Sequence, residues 1–187
     1  LAPDISFADL LHIDDEDLIV DKRIGEGGYG LVYIGKYKGN PVAIKSVKAL
    51  EDVDESESRL MFWEFQQESC IMSTLSHPNI VKLFGVTAHP PRIVMELLLG
   101  DLCDYLLHPK DPSDPTGAKR ITVSPSSFSW KLKMKLAYDI ARGMQYLQHI
   151  WPPVIHRDLK SHNLLVDKHW RVKVCDFGLS RITAQNQ

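Results

Sequence analysis

The chain has 187 residues, enough for one ordinary domain or two small lobes, and 44% of them are hydrophobic, which excludes a disordered polymer. With 24 acidic and 22 basic residues the net charge is −2, so there is no general attraction to nucleic acid or to an anionic membrane. No apolar run approaches the ~18 residues of a membrane span. Cys70, Cys103 and Cys175 are an odd number without C-x-x-C spacing, which points to reduced thiols, no zinc site and an intracellular, cytoplasmic setting. The chain begins at Leu1 without an initiator Met or a signal pattern, and is expected to be a piece of a longer protein.

Residues 1–17 read as a lead-in whose acidic cluster, Asp14 to Asp17, forms a solvated turn. Leu18 to Ile24 predicts a strand broken at Gly25. Gly25-Glu26-Gly27-Gly28-Tyr29-Gly30 follows and matches G-x-G-x-x-G. A dinucleotide-binding version of that motif opens a helix after its last glycine, but here Leu31 to Tyr37 is β-branched and aromatic and reads as a strand. No G-K-[ST] follows, so a P-loop is excluded. Lys38 to Pro41 supplies a turn, and Val42-Ala43-Ile44-Lys45 opens the next strand.

Glu51 to Glu57 reads as a flexible acidic approach to a helix over 59–75. On that helix Met61, Phe65, Met72 and Leu75 make one apolar stripe, and Glu68 lies on it. A carboxylate on a buried face needs a cation, and Lys45 is the candidate; Glu64, nearer the stripe's edge, is the rival carboxylate. His77-Pro78-Asn79 ends the helix. Ile80 to Val86 and Arg92 to Glu96 are strand candidates, with a turn at His89-Pro90-Pro91.

Asp101 to Leu107 predicts a short helix, and His108 to Ser129 an inserted loop rich in proline and polar residues. Ser129 is placed to cap a helix running from Trp130 to Ile150, buried along Leu136, Ile140, Met144 and Leu147 and stopped by Trp151-Pro152-Pro153. The stretch from Val154 to Gly178 then sets His156-Arg157-Asp158, Lys160 and Asn163 before one short apolar run, Leu164 to Val166. A second run, Val172 to Val174, precedes Asp176-Phe177-Gly178. Two such runs make a hairpin, which brings its ends together. Two carboxylates and an amide then converge beside a lysine. Hard oxygen ligands suit Mg²⁺ shared with phosphates, and the remaining carboxylate is placed to take a hydroxyl proton.

H-R-D-L-K-x-x-N followed by D-F-G, 18 residues apart from Asp158 to Asp176, resembles the catalytic loop and metal-binding motif of the eukaryotic protein kinases. The strings HRDLKSHNLLVD and CDFGLSR are similar to the tyrosine-kinase-like group, which includes the Raf, mixed-lineage and Roco kinases. The resemblance implies an α+β, two-lobed fold: an antiparallel N-lobe sheet with the αC helix over 18–98, and a partial, mainly helical C-lobe over 99–187. It also implies transfer of the ATP γ-phosphoryl group, with Mg²⁺, to protein Ser or Thr hydroxyls, since D-L-K-x-x-N is the serine/threonine form of the loop.

By the same resemblance, Asp158 orients the hydroxyl and accepts its proton, Lys160 steadies the γ-phosphate, and Asn163 and Asp176 hold metal. Lys45, fixed by Glu68, holds the other phosphates. The nucleotide is enclosed by Ile24, the loop Gly25, Glu26, Gly27, Gly28, Tyr29 and Gly30, then Val32, Ala43 and Leu165. Met95 stands behind the adenine, whose edge meets backbone groups of Glu96 and Leu98. His156 is structural in this family, stacking with Met72, Leu83 and Phe177. The family pattern continues through an A-P-E motif and further helices that this chain does not contain, so a fragment with a complete nucleotide site but little peptide phosphorylation is expected. A pseudokinase scaffold is the alternative, although none of the motif residues such proteins commonly lose is lost here. No oligomeric state follows from the sequence.

Overall fold

A computed structural model describes residues 11–27, 30–47, 54–107 and 128–183. Two compact units emerge, and they interleave along the chain. The first takes its described residues from Leu1–Ser76, Lys82–Leu97 and Phe177–Ile182, the second from His77–Val81, Leu98–Asp176 and Thr183–Gln187.

The first unit holds strands β1 (Leu18–Gly27), β2 (Gly30–Tyr37) and β3 (Asn40–Val47), helix α1 (Glu55–Ser73), and strands β4 (Leu83–Ala88) and β5 (Pro91–Glu96). The strands form one antiparallel sheet in the order β1-β2-β3-β5-β4. Val42 and Ile44 of β3 and Val94 of β5 bury against Ile13 and Leu18, with Tyr33, Tyr37 and Phe84 closing around them. Fully burying side chains of this size stabilises by about 1.5–3 kcal/mol each.

β1 does not break at Gly25 as the sequence suggested; irregularities in register between Val20 and Gly25 let the strand bend and continue to Gly27. Gly30, which opens β2, has to be a glycine: a Cβ there would collide with the Ser46 carbonyl oxygen across the β2–β3 ladder. The acidic lead-in is a short 3₁₀ turn, Asp15–Asp17, exposed as expected, with Asp15 reaching Arg92 at 3.2 Å.

Helix α1 begins earlier than its apolar stripe implied. The Asp54 carboxylate accepts hydrogen bonds from the Ser56 amide at 2.8 Å and the Ser56 hydroxyl at 2.6 Å, so Glu55 to Glu57 are helical rather than a flexible approach. The expected approach over 51–53 lies outside the described residues. The helix also ends sooner, at Ser73, where the Ser73 and Thr74 hydroxyls donate to the Cys70 and Ile71 carbonyls.

The second unit holds strand β6 (Gly100–Asp101), helices α2 (Leu102–Leu107) and α3 (Trp130–His149), and short strands β7 (Val154–Ile155), β8 (Leu164–Val166) and β9 (Val172–Val174). A final two-residue strand, β10 (Arg181–Ile182), returns to the first unit. Asp101 caps α2 by accepting from the Asp104 amide at 2.8 Å, and Ser129 caps α3 by accepting from Leu132 at 3.2 Å. The expected inserted loop lies, from 108 to 127, outside the described residues.

β6, β8 and β9 form a small antiparallel sheet with the predicted hairpin pairing Leu164 with Val174 and Val166 with Val172. Ile80 does not belong to β4, as its apolar run suggested. It bridges Val174 in parallel, because the Val81 and Val174 amides bond the Val174 and Asn79 carbonyls, both at 2.9 Å. Helix α3 comes close to this segment through Gly143, where a Cβ would lie 2.8 Å from the Asn79 carbonyl oxygen. Leu136 and Leu147 of its predicted stripe are buried, Ile140 and Met144 half-buried; Asp139 and Gly143 complete the inward face.

Candidate functional site

In the first unit, β3 and α1 bring together a lysine and a glutamate from distant parts of the chain. Lys45 pairs across the sheet with Val32 on one side and Ile93 on the other. Its ammonium donates to both oxygens of Glu68, at 2.9 and 2.7 Å. The two side chains are 12% and 5% exposed, so each charge is withdrawn from water in company with the other. Phe65 and Met72 are buried on the same helix face, and Leu75, just past the end of the helix, is buried too.

Glu64, the rival, is only half-buried, yet its Oε2 is sealed from solvent without a hydrogen-bond partner among the described residues. Burial pushes its carboxyl up, against the pull of Arg181 and Lys45. Helix spacing favoured Glu68 over Glu64, and the Lys45 hydrogen bonds go to Glu68.

The glycine-rich segment is the β1–β2 hairpin, with Gly25 opposite Val32 and Gly27 opposite Gly30. Gly28 and Tyr29 lie outside the described residues. Ile24 is exposed, and Glu26 is exposed and paired with Arg23. Gly25 differs from Gly30: among the described residues a Cβ on it would meet nothing nearer than Val32 Cβ at 4.0 Å. Val32 is half-buried, while Ala43 and Met95 are buried. The Glu96 amide donates to the Lys82 carbonyl at 3.0 Å, and its carboxylate accepts from the Lys82 amide at 2.7 Å.

The second unit gathers the other predicted residues, together with Leu98 and Leu165, both half-buried. His156 is buried; its Nδ1 accepts from the Asp158 amide at 3.3 Å, so Nε2 carries the proton and donates to the Cys175 carbonyl at 3.0 Å. Burial, foremost, pushes its pKa down. Cys175 is buried, in accord with a small apolar packing residue. Arg157 and Asp176 adopt left-handed backbone, with φ of 68° and 64°, a strained choice for non-glycine residues that concentrates at functional sites.

Asp158 organises the loop. Its Oδ2 accepts from Lys160 Nζ at 2.7 Å and from Asn163 Nδ2 at 2.9 Å, while its carbonyl accepts from the same Asn163 nitrogen at 2.8 Å. The lysine contact, foremost, holds the Asp158 carboxyl below the usual carboxylate range. Because both acceptors are bare oxygens, it is the Asn163 amide nitrogen that faces them, and Oδ1 takes no part in these two bonds. The Asn163 carbonyl accepts from the Cys175 amide at 3.0 Å, which ties Asn163 to the residue before Asp176. One carboxylate and one amide oxygen suit an ion that keeps waters and shares phosphate oxygens, as Mg²⁺ does. Among the described residues no cluster of three or more His, Cys, Asp and Glu side chains could hold a metal.

Three supporting residues escaped the sequence reading. Asp139 on α3 is buried and accepts from the Val172 amide at 3.1 Å and from Lys135 at 3.0 Å. The test that singled out Glu68, a carboxylate on a buried helix face, would have found it. Asn79 donates to the Val172 carbonyl at 2.9 Å and so grips the same strand from another side. Gln67 donates to the Ser180 carbonyl at 2.6 Å. Neither amide has a local sequence signal.

A family model described as protein tyrosine and serine/threonine kinase matches residues 18–187. The chain is 46% identical over 170 residues to the probable serine/threonine-protein kinase drkC of Dictyostelium discoideum, covering 90% of this chain and 20% of the relative. It is 41% identical over 170 residues to the serine/threonine-protein kinase CTR1 of Arabidopsis thaliana, covering 90% and 19%. The probable serine/threonine-protein kinase roco11 of Dictyostelium discoideum is 39% identical over 191 residues, covering 97% and 12%. The chain thus spans a fifth or less of the length of these relatives. With the five-stranded sheet, the Lys45–Glu68 pair and the Asp158–Asn163 loop in place, the match over nearly the whole chain shows that it belongs to the protein kinase family.

Proposed function

We propose that this chain is the ATP- and Mg²⁺-using part of a serine/threonine kinase. ATP is the phosphoryl donor and a protein Ser or Thr hydroxyl the acceptor. The observation that carries the reading is the Asn163 amide, pinned by Asp158 so that its oxygen is left for a cation. The serine/threonine preference rests on Lys160 two residues after Asp158, and on the names of the relatives.

In this reading Lys45, held by Glu68, binds the α- and β-phosphates. Gly25, whose missing Cβ no neighbour among the described residues requires, is bare so that the nucleotide can approach the backbone. Ile24, Val32, Ala43 and Leu165 enclose the adenine, with Met95 behind it and backbone groups of Glu96 and Leu98 at its edge. Asn163 Oδ1 and the Asp176 carboxylate would hold Mg²⁺, which when bound neutralises charge on the phosphate oxygens. Asp158, kept ionised by Lys160, orients the acceptor hydroxyl and takes its proton. Lys160 then has its ammonium beside the γ-phosphate.

The test is Asp158→Asn in the full-length protein. General-base assistance is typically worth about 10²–10⁴-fold, so peptide phosphorylation should fall by that order while ATP affinity stays within about twofold. A parent protein that binds ATP but phosphorylates neither serine nor threonine peptides would refute the reading in favour of a scaffold.

A further inference from the structure

Helix α1 does more than carry Glu68. The residue before it, Gln67, donates its side-chain N–H to the Ser180 carbonyl at 2.6 Å, across 113 residues of sequence. The same carbonyl accepts from Arg181 Nη1 at 2.8 Å, and the Arg181 guanidinium lies over the Trp63 ring, 5.4 Å from its centroid. Glu64, on the same turn of helix, adds an attractive charge for Arg181. Ser180 is fully buried, and its amide donates to Phe177 at 2.9 Å, closing a turn over 177–180. One helical turn, residues 63–67, therefore grips the chain that leaves Asp176-Phe177-Gly178. The next residue on that helix fixes Lys45.

We propose that Gln67 is a positioning residue for phosphoryl transfer, acting through the backbone after Gly178 and so through Asp176. The proposal rests on the kinase reading above. Its chemistry is simple. A buried carbonyl held by a side-chain donor keeps one orientation, and Asp176, itself in a left-handed conformation, is kept there by what grips the following turn. Arg181, stacked on Trp63, supplies the second hold on the same oxygen.

The experiment compares the full-length parent with Gln67→Leu, which removes the donor at similar bulk, and Gln67→Lys, which restores an N–H donor on a long stem. Losing one neutral hydrogen bond should lower kcat about two- to tenfold, leave KM for ATP within about twofold, and raise the Mg²⁺ concentration needed for half-maximal rate. Gln67→Lys should recover most of kcat. Hydrogen exchange at the Ser180 amide should quicken by a similar factor in Gln67→Leu alone.

An unchanged Ser180 exchange rate in Gln67→Leu overturns the proposal whatever the activity. A loss of kcat that Gln67→Lys does not recover, with no change in Mg²⁺ requirement, also overturns it, because that pattern marks general damage to α1. A parent inactive on all peptides would sink the kinase reading instead, and the exchange measurement would still decide whether Gln67 holds the turn.

Discussion

Replacing Lys45 by Met should separate what the Lys45–Glu68 pair does for stability from what it does for nucleotide binding. The ammonium sits 2.9 and 2.7 Å from the two carboxylate oxygens. At that separation the attraction is about 6 kcal/mol for an effective dielectric near 20. Withdrawing each ion from water costs several kcal/mol, so the intact pair contributes little net stability. Removing the lysine alone leaves a carboxylate that is 5% exposed without its cation, and a buried pair broken in this way loses about 3–5 kcal/mol. Lys45→Met should therefore lower the unfolding free energy by about that amount. The double variant Lys45→Met/Glu68→Leu should regain most of it, because neither charge is then stranded. Neither variant should transfer phosphate. The assay is denaturant unfolding of nucleotide-free protein, with equal denaturant slopes required before the free energies are compared, alongside ATP titration and peptide phosphorylation. Unchanged stability in Lys45→Met would refute the burial argument. Recovered activity in the double variant would refute the assignment of Lys45 to the nucleotide.

Three further outcomes follow from the same geometry. Asp176→Asn removes the charged hard ligand, so ATP binding should lose its Mg²⁺ dependence; equal dependence in variant and parent, by titration with and without the metal, would overturn the assignment. Gly30→Ala should destabilise, because its methyl meets the Ser46 carbonyl, whereas Gly25→Ala should unfold like the parent but bind ATP more weakly; thermal unfolding and nucleotide titration of both variants separate the structural glycine from the functional one. His156 and His77 both have pKa values lowered chiefly by burial, so as the pH drops the unfolded chain takes up protons before the folded one does. Stability should be fully present above about pH 6.5 and should decline as the pH falls through that value, and the slope should shrink in His156→Phe. An identical slope in that variant would show that His156 is not the group responsible.

The features readable from the chain alone are those whose physical reason is local. Asp158, Lys160 and Asn163 lie within six residues, so the loop that joins their side chains is short, and their hydrogen bonds follow from that spacing. Leu164 to Val166 and Val172 to Val174 pair as predicted because a five-residue turn leaves them little else to pair with. The Ser129 cap and the Pro152 stop were visible for the same reason. Glu68 was legible because a carboxylate among Phe65, Met72 and Leu75 demands a cation wherever one comes from.

What the tertiary structure alone decided concerns partners far apart in sequence. Ile80 looked like the start of β4 because apolar runs do not declare which sheet they join; the Asn79 and Val81 backbone bonds to Val174 carry it to β9 instead. Gly143 is a glycine because α3 crosses the Asn79 carbonyl at contact distance, which no helical pattern discloses. Gln67 and Asn79 are amides, and an amide's preference is satisfied by any carbonyl. Their partners, Ser180 and Val172, lie 113 and 93 residues away, and only the folded chain brings them within reach. Charge, apolar period and turn chemistry act over a few residues and leave their mark in the sequence; a neutral hydrogen bond between distant segments leaves none until folding has closed the loop between them.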